Sequence, residues 1–232
     1  MGGYGVIFDM DGVLVDSYGP HYESWRITTE RRGHALPESL FRTVFGRTNE
    51  AIIPVVTGRV YAPAEVEAWG EEKEAAYRDI LARAFPAMPG ADALLDALKA
   101  DGARLAIGSS GPPENVAVVL EHLRGARHFD ATVTGREVRV GKPDPEVFLL
   151  AAQRIGLPAS ACAVVEDSLA GLEAARRAGA AAIALTGTAD RAALAPRADL
   201  VVDALGELTP ARIRGLIAGK RGPGSPPPGG RA

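Results

Sequence analysis

The chain has 232 residues, 47% of them hydrophobic and 24% charged, with a formal net charge of −3. That balance fits a globular protein with one full core, or one core and a small accessory domain, and it gives no sign of the clustered positive surface a nucleic-acid binder needs. The single cysteine, Cys162, excludes an intrachain disulfide and fits a reduced compartment, and no apolar run is long enough to span a bilayer.

Taken in chain order, the first element is a short, unbroken apolar run from Gly5 to Phe8, which predicts a strand buried on both faces. It begins almost at the N-terminus, so no signal peptide is read there, and a cytoplasmic protein is expected. From Asp16 to Phe85 only helical patterns occur, broken by Gly and Pro: Tyr18 to Arg31, Pro37 to Val44, Asn49 to Val56 and Ala64 to Ala84, the last with Pro63 just before it. Further apolar runs follow at Arg104 to Gly108, Ala131 to Thr134, Cys162 to Val165, Ala180 to Leu185 and Leu200 to Val202. Helical spacing separates them at Ala91 to Ala100, Pro113 to Leu123, Pro145 to Ile155 and Leu169 to Ala178. The alternation predicts an open parallel α/β sheet covered on both faces, built from residues 1–15 and 87–218, with an all-helical insertion at 16–86. Residues 219–232, dominated by Gly, Pro, Lys, Arg and Ser, predict a disordered tail. With no coiled coil or apolar stripe in view, a monomer is the expectation.

Chemistry collects at the ends of the predicted strands. The first ends in Asp9-Met10-Asp11-Gly12. Two carboxylates there repel each other and are costly to desolvate, which a divalent cation such as Mg2+ would relieve; alternatively either acid caps the next segment. Ser109, after the second run, could hold a phosphate oxygen or cap a helix. Lys142, between Gly141 and Pro143, could neutralise a phosphate or be an exposed loop lysine. Glu166 and Asp167 end another buried run, where Asp167 could complete a metal site with Asp9 and Glu166 could be a further ligand or a supporting partner. Together these residues put four acids, a hydroxyl and a lysine on one sheet edge, the equipment for phosphoryl transfer through an aspartyl-phosphate.

The order Asp9-x-Asp11-Gly12, Ser109, Lys142-Pro143, Glu166-Asp167 resembles the four motifs of the haloacid dehalogenase-like superfamily. Gly141-Lys142-Pro143-Asp144-Pro145 and Glu166-Asp167-Ser168-x-x-Gly171 resemble its phosphatase and phosphoglucomutase branch. The resemblance implies a Rossmann-like core with a small helical cap domain inserted after the first strand. It implies that Asp9 attacks phosphorus and that Asp11 is the acid/base. It further implies that Asp9, the Asp11 carbonyl and Asp167 hold Mg2+ with Glu166 in support, and that Ser109 and Lys142 bind the transferred group. In the cap, His21 and Lys73 resemble residues of the β-phosphoglucomutase-like group; Trp25 shares a face with His21 but reads as cap core.

Two departures set the chain apart from that mutase. After Phe45-Gly46 it reads Arg47-Thr48-Asn49, where the mutase has arginine at the position of Asn49; Arg47 should project elsewhere. After Ser109-Ser110 it reads Gly111-Pro112-Pro113-Glu114-Asn115 in place of a Ser-Lys-Asn segment. The expected activity is therefore a phosphatase of a small phosphorylated metabolite, such as a sugar phosphate or phosphoglycolate, with a sugar phosphomutase as the alternative. A non-enzymatic phospho-accepting receiver module is disfavoured by the insertion and by the place of Asp9 on the first strand. A haloacid dehalogenase is disfavoured by Asp11 and the metal site. Cys162 reads as core, and His34, His122 and His128 receive no role.

Overall fold

Val6, Ile7 and Phe8 are β-branched or aromatic and have no polar neighbour in the run, so an extended segment here can be stable only between two other strands and under two layers of helix. The computed structural model, which describes residues 3–221, shows this. Strand β1 (Gly5–Phe8) is fully buried and pairs in parallel with β2 (Arg104–Gly108) on one side and β4 (Cys162–Glu166) on the other. With β3 (Ala131–Val133), β5 (Ala181–Leu185) and β6 (Leu200–Val202) the sheet is six-stranded and all-parallel, in the order β3-β2-β1-β4-β5-β6. β1 is thus first in the chain but central in the sheet. The place of Asp9 on the first strand therefore does not by itself disfavour a receiver module, because strand order in sequence does not fix strand order in space.

The connecting helices are α5 (Ala91–Ala100), α6 (Pro113–His122), α7 (Glu146–Arg154) and α8 (Leu169–Ala178), with the short α9 (Arg191–Leu194) and a closing α10 (Pro210–Arg221). One apolar layer gathers Ile7, Phe148, Cys162, Val164, Leu172 and Leu194. Cys162 is core, as read. Ser168 caps α8 by accepting the Gly171 N–H, 3.0 Å, and Gly179 ends that helix in the left-handed conformation.

Two compact units emerge, one formed by Ser17–Pro86 and the other by the chain up to Asp16 and from Ala87 onward. The first holds α1 (Tyr18–Glu30), α2 (Glu38–Val44), α3 (Asn49–Thr57) and α4 (Pro63–Arg83). Pro63 opens α4, and the Glu65 carboxylate accepts the Ala62 N–H at 3.0 Å, which satisfies one orphan donor of the first turn. Trp25, Phe41, Ile53 and Trp69 form the core of this unit.

The predicted elements lie within one or two residues of the observed ones. Two corrections arise at the C-terminal end. α9 and α10 were not anticipated, and Gly219–Arg221 belong to α10 rather than to the tail. The remainder of the predicted tail lies outside the described residues. Among those described, no helix is long and apolar enough to cross a membrane.

Candidate active site

Parallel strands that end together bring their following residues together, so β1 and β4, which pair in register, deliver Asp9 beside Glu166 and Asp167. Asp9 continues the ladder, its N–H donating to the Val165 carbonyl at 3.0 Å. All three acids are buried, and one oxygen of each lies within 4.8 Å of the others. Lys142 enters from the loop before α7, and its Nζ donates to Asp9 Oδ1 at 2.8 Å and to Glu166 Oε1 at 2.7 Å. Its side chain is only 8% exposed, so it is not a solvated loop lysine. The Lys142–Pro143 peptide is cis.

The electrostatics follow from this crowding. Burial pushes Asp9 up to about 7; the Lys142 charge opposes the shift, and the Glu166 and Asp11 charges add to it. Burial together with Glu166 and Asp9 raises Asp167 well above the usual carboxylate range. Glu166 moves down: burial works against its charge, but the Lys142 ammonium and the Ser168 bonds outweigh it. The Glu166 Oε2 atom accepts the N–H groups of Asp167 and Ser168, at 2.8 and 2.7 Å. Three buried carboxylates thus share one ammonium, which leaves a deficit of positive charge among hard oxygen donors. That donor set fits a divalent cation.

Asp11 lies on the tight turn that follows Asp9, where the Gly12 N–H donates to the Val15 carbonyl at 2.9 Å. Gly12 has φ +75°, and a Cβ there would meet Asp167 Oδ2 at 1.9 Å, so only glycine lets the turn pass the carboxylate. Ser109 is buried after β2, and its Oγ accepts the Gly111 N–H at 3.0 Å. Ser109 Oγ and Asp11 Oδ2 lie 3.2 and 4.0 Å from the position a Gly111 Cβ would take. α6 is entered through Pro112, so Ser109 does not cap it.

Within the helical unit, α1 and α4 bring His21 and Lys73 together, with Nδ1 and Nζ 2.8 Å apart. The imidazole stacks on Tyr77, centroids 4.1 Å apart, and Lys73, itself 3% exposed, pairs with Glu74 at 2.9 Å. Trp25 is buried, as read. Arg47 is exposed, whereas Asn49 opens α3 with its amide against Gly70. His34 lies against Trp69, His122 bonds the Val118 carbonyl, and His128 bonds Asp96.

Two participants escaped the sequence reading. The Thr188 hydroxyl donates to Asp167 Oδ2. Gly171, noted only as part of a motif, is the floor of the Glu166 seat: a Cβ there would lie 1.8 Å from Glu166 Oε1. Alanine is normally favoured over glycine inside a helix by about 1 kcal/mol. Here Gly171→Ala is expected to lower stability by roughly 2 kcal/mol, because it forces Glu166 off Lys142 and breaks a buried charge pair. Thermal melts of the two proteins test this, and an unchanged or higher Tm for the alanine variant contradicts it.

The buried acids and the lysine gather at the carboxyl ends of the central strands, where an open α/β sheet binds its ligand. The chain belongs to the haloacid dehalogenase-like hydrolases, whose family profile matches residues 5–179. It is similar to a phosphorylated carbohydrates phosphatase of Thermotoga maritima, 31% identical over 174 residues that cover 75% of this chain and 81% of the relative. It is also similar to a β-phosphoglucomutase of Bacillus subtilis, 28% identical over 185 residues covering 77% and 81%. Among solved structures, a HAD hydrolase, family IA, variant 3, from Entamoeba histolytica superposes with a TM-score of 0.85 at 28% identity, covering 93% of this chain and 99% of that one.

Proposed function

We propose that the chain is a Mg2+-dependent phosphatase of a small phosphorylated metabolite, of the sugar phosphate or phosphoglycolate type, that works through an aspartyl-phosphate on Asp9. The observation that carries this reading is the Lys142 ammonium held between Asp9 and Glu166, with Asp167 beside them. Asp9, Asp167 and the Asp11 carbonyl would hold Mg2+, with Glu166 in support. When bound, the ion would neutralise the phosphoryl oxygens and the carboxylate charge.

In the first half-reaction an Asp9 oxygen attacks phosphorus, the bond to the ester oxygen breaks, and Asp11 gives that oxygen its proton. In the second, Asp11 takes a proton from water as the water oxygen attacks the aspartyl-phosphate, which releases inorganic phosphate and restores Asp9. Lys142 and the Ser109 hydroxyl hold the transferred group, and Lys142 is placed by its two carboxylate bonds before any substrate arrives. The helical unit is read as the cap domain of this branch, with His21, Arg47, Asn49 and Lys73 as its candidates for substrate selection.

A second reading, a sugar phosphomutase, is favoured by the Bacillus relative and by the His21–Lys73 pair. Against it stand the Arg47-Thr48-Asn49 and Gly111-Pro112-Pro113 departures. Phosphate release from a panel of small phosphate esters, with Mg2+ and with chelator, separates the two. The panel includes β-glucose 1-phosphate with a trace of glucose 1,6-bisphosphate. Metal-dependent phosphate release is expected. Glucose 6-phosphate forming without net phosphate release would establish the mutase.

A further inference from the structure

We infer that Thr188 is a positioning residue that holds Asp167 in the orientation needed to bind a divalent cation, an inference that rests on the metal-site reading above. Glu166 is fixed at both oxygens, Oε2 by two backbone N–H groups and Oε1 by Lys142. Asp167 has no such frame. Among the described residues, the one hydrogen bond its carboxylate receives comes from the Thr188 hydroxyl, at Oδ2. The torsion that turns an aspartate carboxylate is soft, and Asp9 and Glu166 both repel this one. A single donor on one oxygen therefore decides where the group settles, and it leaves the remaining lone pairs for a cation.

The setting of Thr188 argues that the contact is built in. The residue is exposed, on the loop that leaves β5, so packing gives no reason for its hydroxyl to point inward. That loop is anchored on both sides. The Thr186 N–H donates to the Val202 carbonyl at 3.0 Å and its hydroxyl to Asp203 at 2.9 Å, while the Asp190 carboxylate caps α9 through the Ala193 N–H at 2.8 Å. Beside Asp167 Oδ2 also stands Gly12, whose missing Cβ would have come within 1.9 Å of that oxygen and 3.2 Å of Thr188 Oγ1. The carboxylate oxygen is thus met by both the turn after β1 and the loop after β5.

The test is a titration of Mn2+, followed by loss of the free-ion electron paramagnetic resonance signal, on the wild type, Thr188→Val, Thr188→Ser and Asp167→Asn. Thr188→Val keeps the side-chain shape and removes the donor. It is expected to weaken Mn2+ binding about 10-fold, the usual effect of losing a partner of a metal ligand. Thr188→Ser, which keeps the hydroxyl, is expected to bind as the wild type does, and Asp167→Asn to lose binding. Turnover should split the same way: Thr188→Val needs more Mg2+ for half-saturation but keeps its kcat once saturated. Wild-type affinity in Thr188→Val beside lost binding in Asp167→Asn overturns the role of Thr188 and leaves the metal site standing. Equal weakening in Thr188→Val and Thr188→Ser also overturns it, since the hydroxyl would then be irrelevant. Undiminished binding in Asp167→Asn overturns the metal-site reading itself, and the role of Thr188 falls with it.

Discussion

Asp9→Asn is expected to reduce turnover by about 10⁴-fold or more, the scale on which enzymes lose activity when a nucleophile is removed. The amide is nearly the same shape and can still accept the Lys142 bond, so the loss would be chemical rather than structural. Single-turnover quench experiments check this, since the variant should accumulate no acid-stable phosphoenzyme; appreciable residual turnover removes Asp9 as the nucleophile. The same substitution has a stability signature. Asp9 is shifted from its ordinary 3.8 up to about 7, so between those values the folded chain keeps a proton that the unfolded chain has lost. Ionising Asp9 therefore weakens the fold as pH rises through that window, and the penalty is complete above about 7. Asparagine escapes it. In the presence of chelator, Asp9→Asn should melt at or above the wild-type temperature at pH 8, with any advantage gone near pH 4. A lower Tm at pH 8 contradicts the electrostatic account.

Lys142→Met is expected to be the most destabilising change in the site. It leaves Asp9 and Glu166 buried together without the ammonium that bonds both. Removing one partner of a buried charge pair costs about 3–5 kcal/mol, which in a chain of this size lowers Tm by roughly 10 °C. Turnover should fall by about 10²–10³-fold, as when a preorganised donor to a transition state is lost. Lys142 holds Glu166 below its ordinary 4.5. That contribution exists above the unfolded value and disappears as pH falls through the folded one, so the deficit of the variant should be largest near pH 8 and shrink under acid. Melts across that range decide the matter, and equal stability at pH 8 would refute the assignment of Lys142 as the internal counter-ion.

How much of this was legible in the sequence depends on what each feature rests on. The strands could be read because a strand buried on both faces has to be apolar throughout, and Gly5–Phe8 and Cys162–Glu166 are so up to the charged residue that ends the latter. The acids stood out for the same reason, as charges that no packing argument explains at the ends of apolar runs. α10 was missed because Arg, Gly and Lys dominate it; its inward signal is the pair Ile213 and Ile217, one helical turn apart. α9 is a single turn, too short for a periodic pattern. Thr188 was missed because a hydroxyl in a Thr-Gly-Thr loop is ordinary, and only the adjacency of β4 and β5 gives it meaning. His21 and Lys73 stood out only through the resemblance, and neither their pairing nor the Tyr77 ring beneath His21 could be read, because these contacts join two helices far apart in the chain.

Between Val15 and Ala87 the chain makes an antiparallel bridge, and the Met88 N–H donates to the Leu14 carbonyl at 2.9 Å, so the chain leaves the sheet unit and returns to it at neighbouring points. β1 must find β2 across the whole of Ser17–Pro86, a long-range pairing of the kind that slows folding. With exit and re-entry clasped together, the intervening helices act as one closed detour. The entropy of closing such a loop grows only by about 0.6 kcal/mol for each doubling of its length. Strand β1 is therefore nearly indifferent to how much chain is inserted behind it. Evolution can lengthen, shorten or replace the helical unit without renegotiating the register that sets Asp9 beside Asp167.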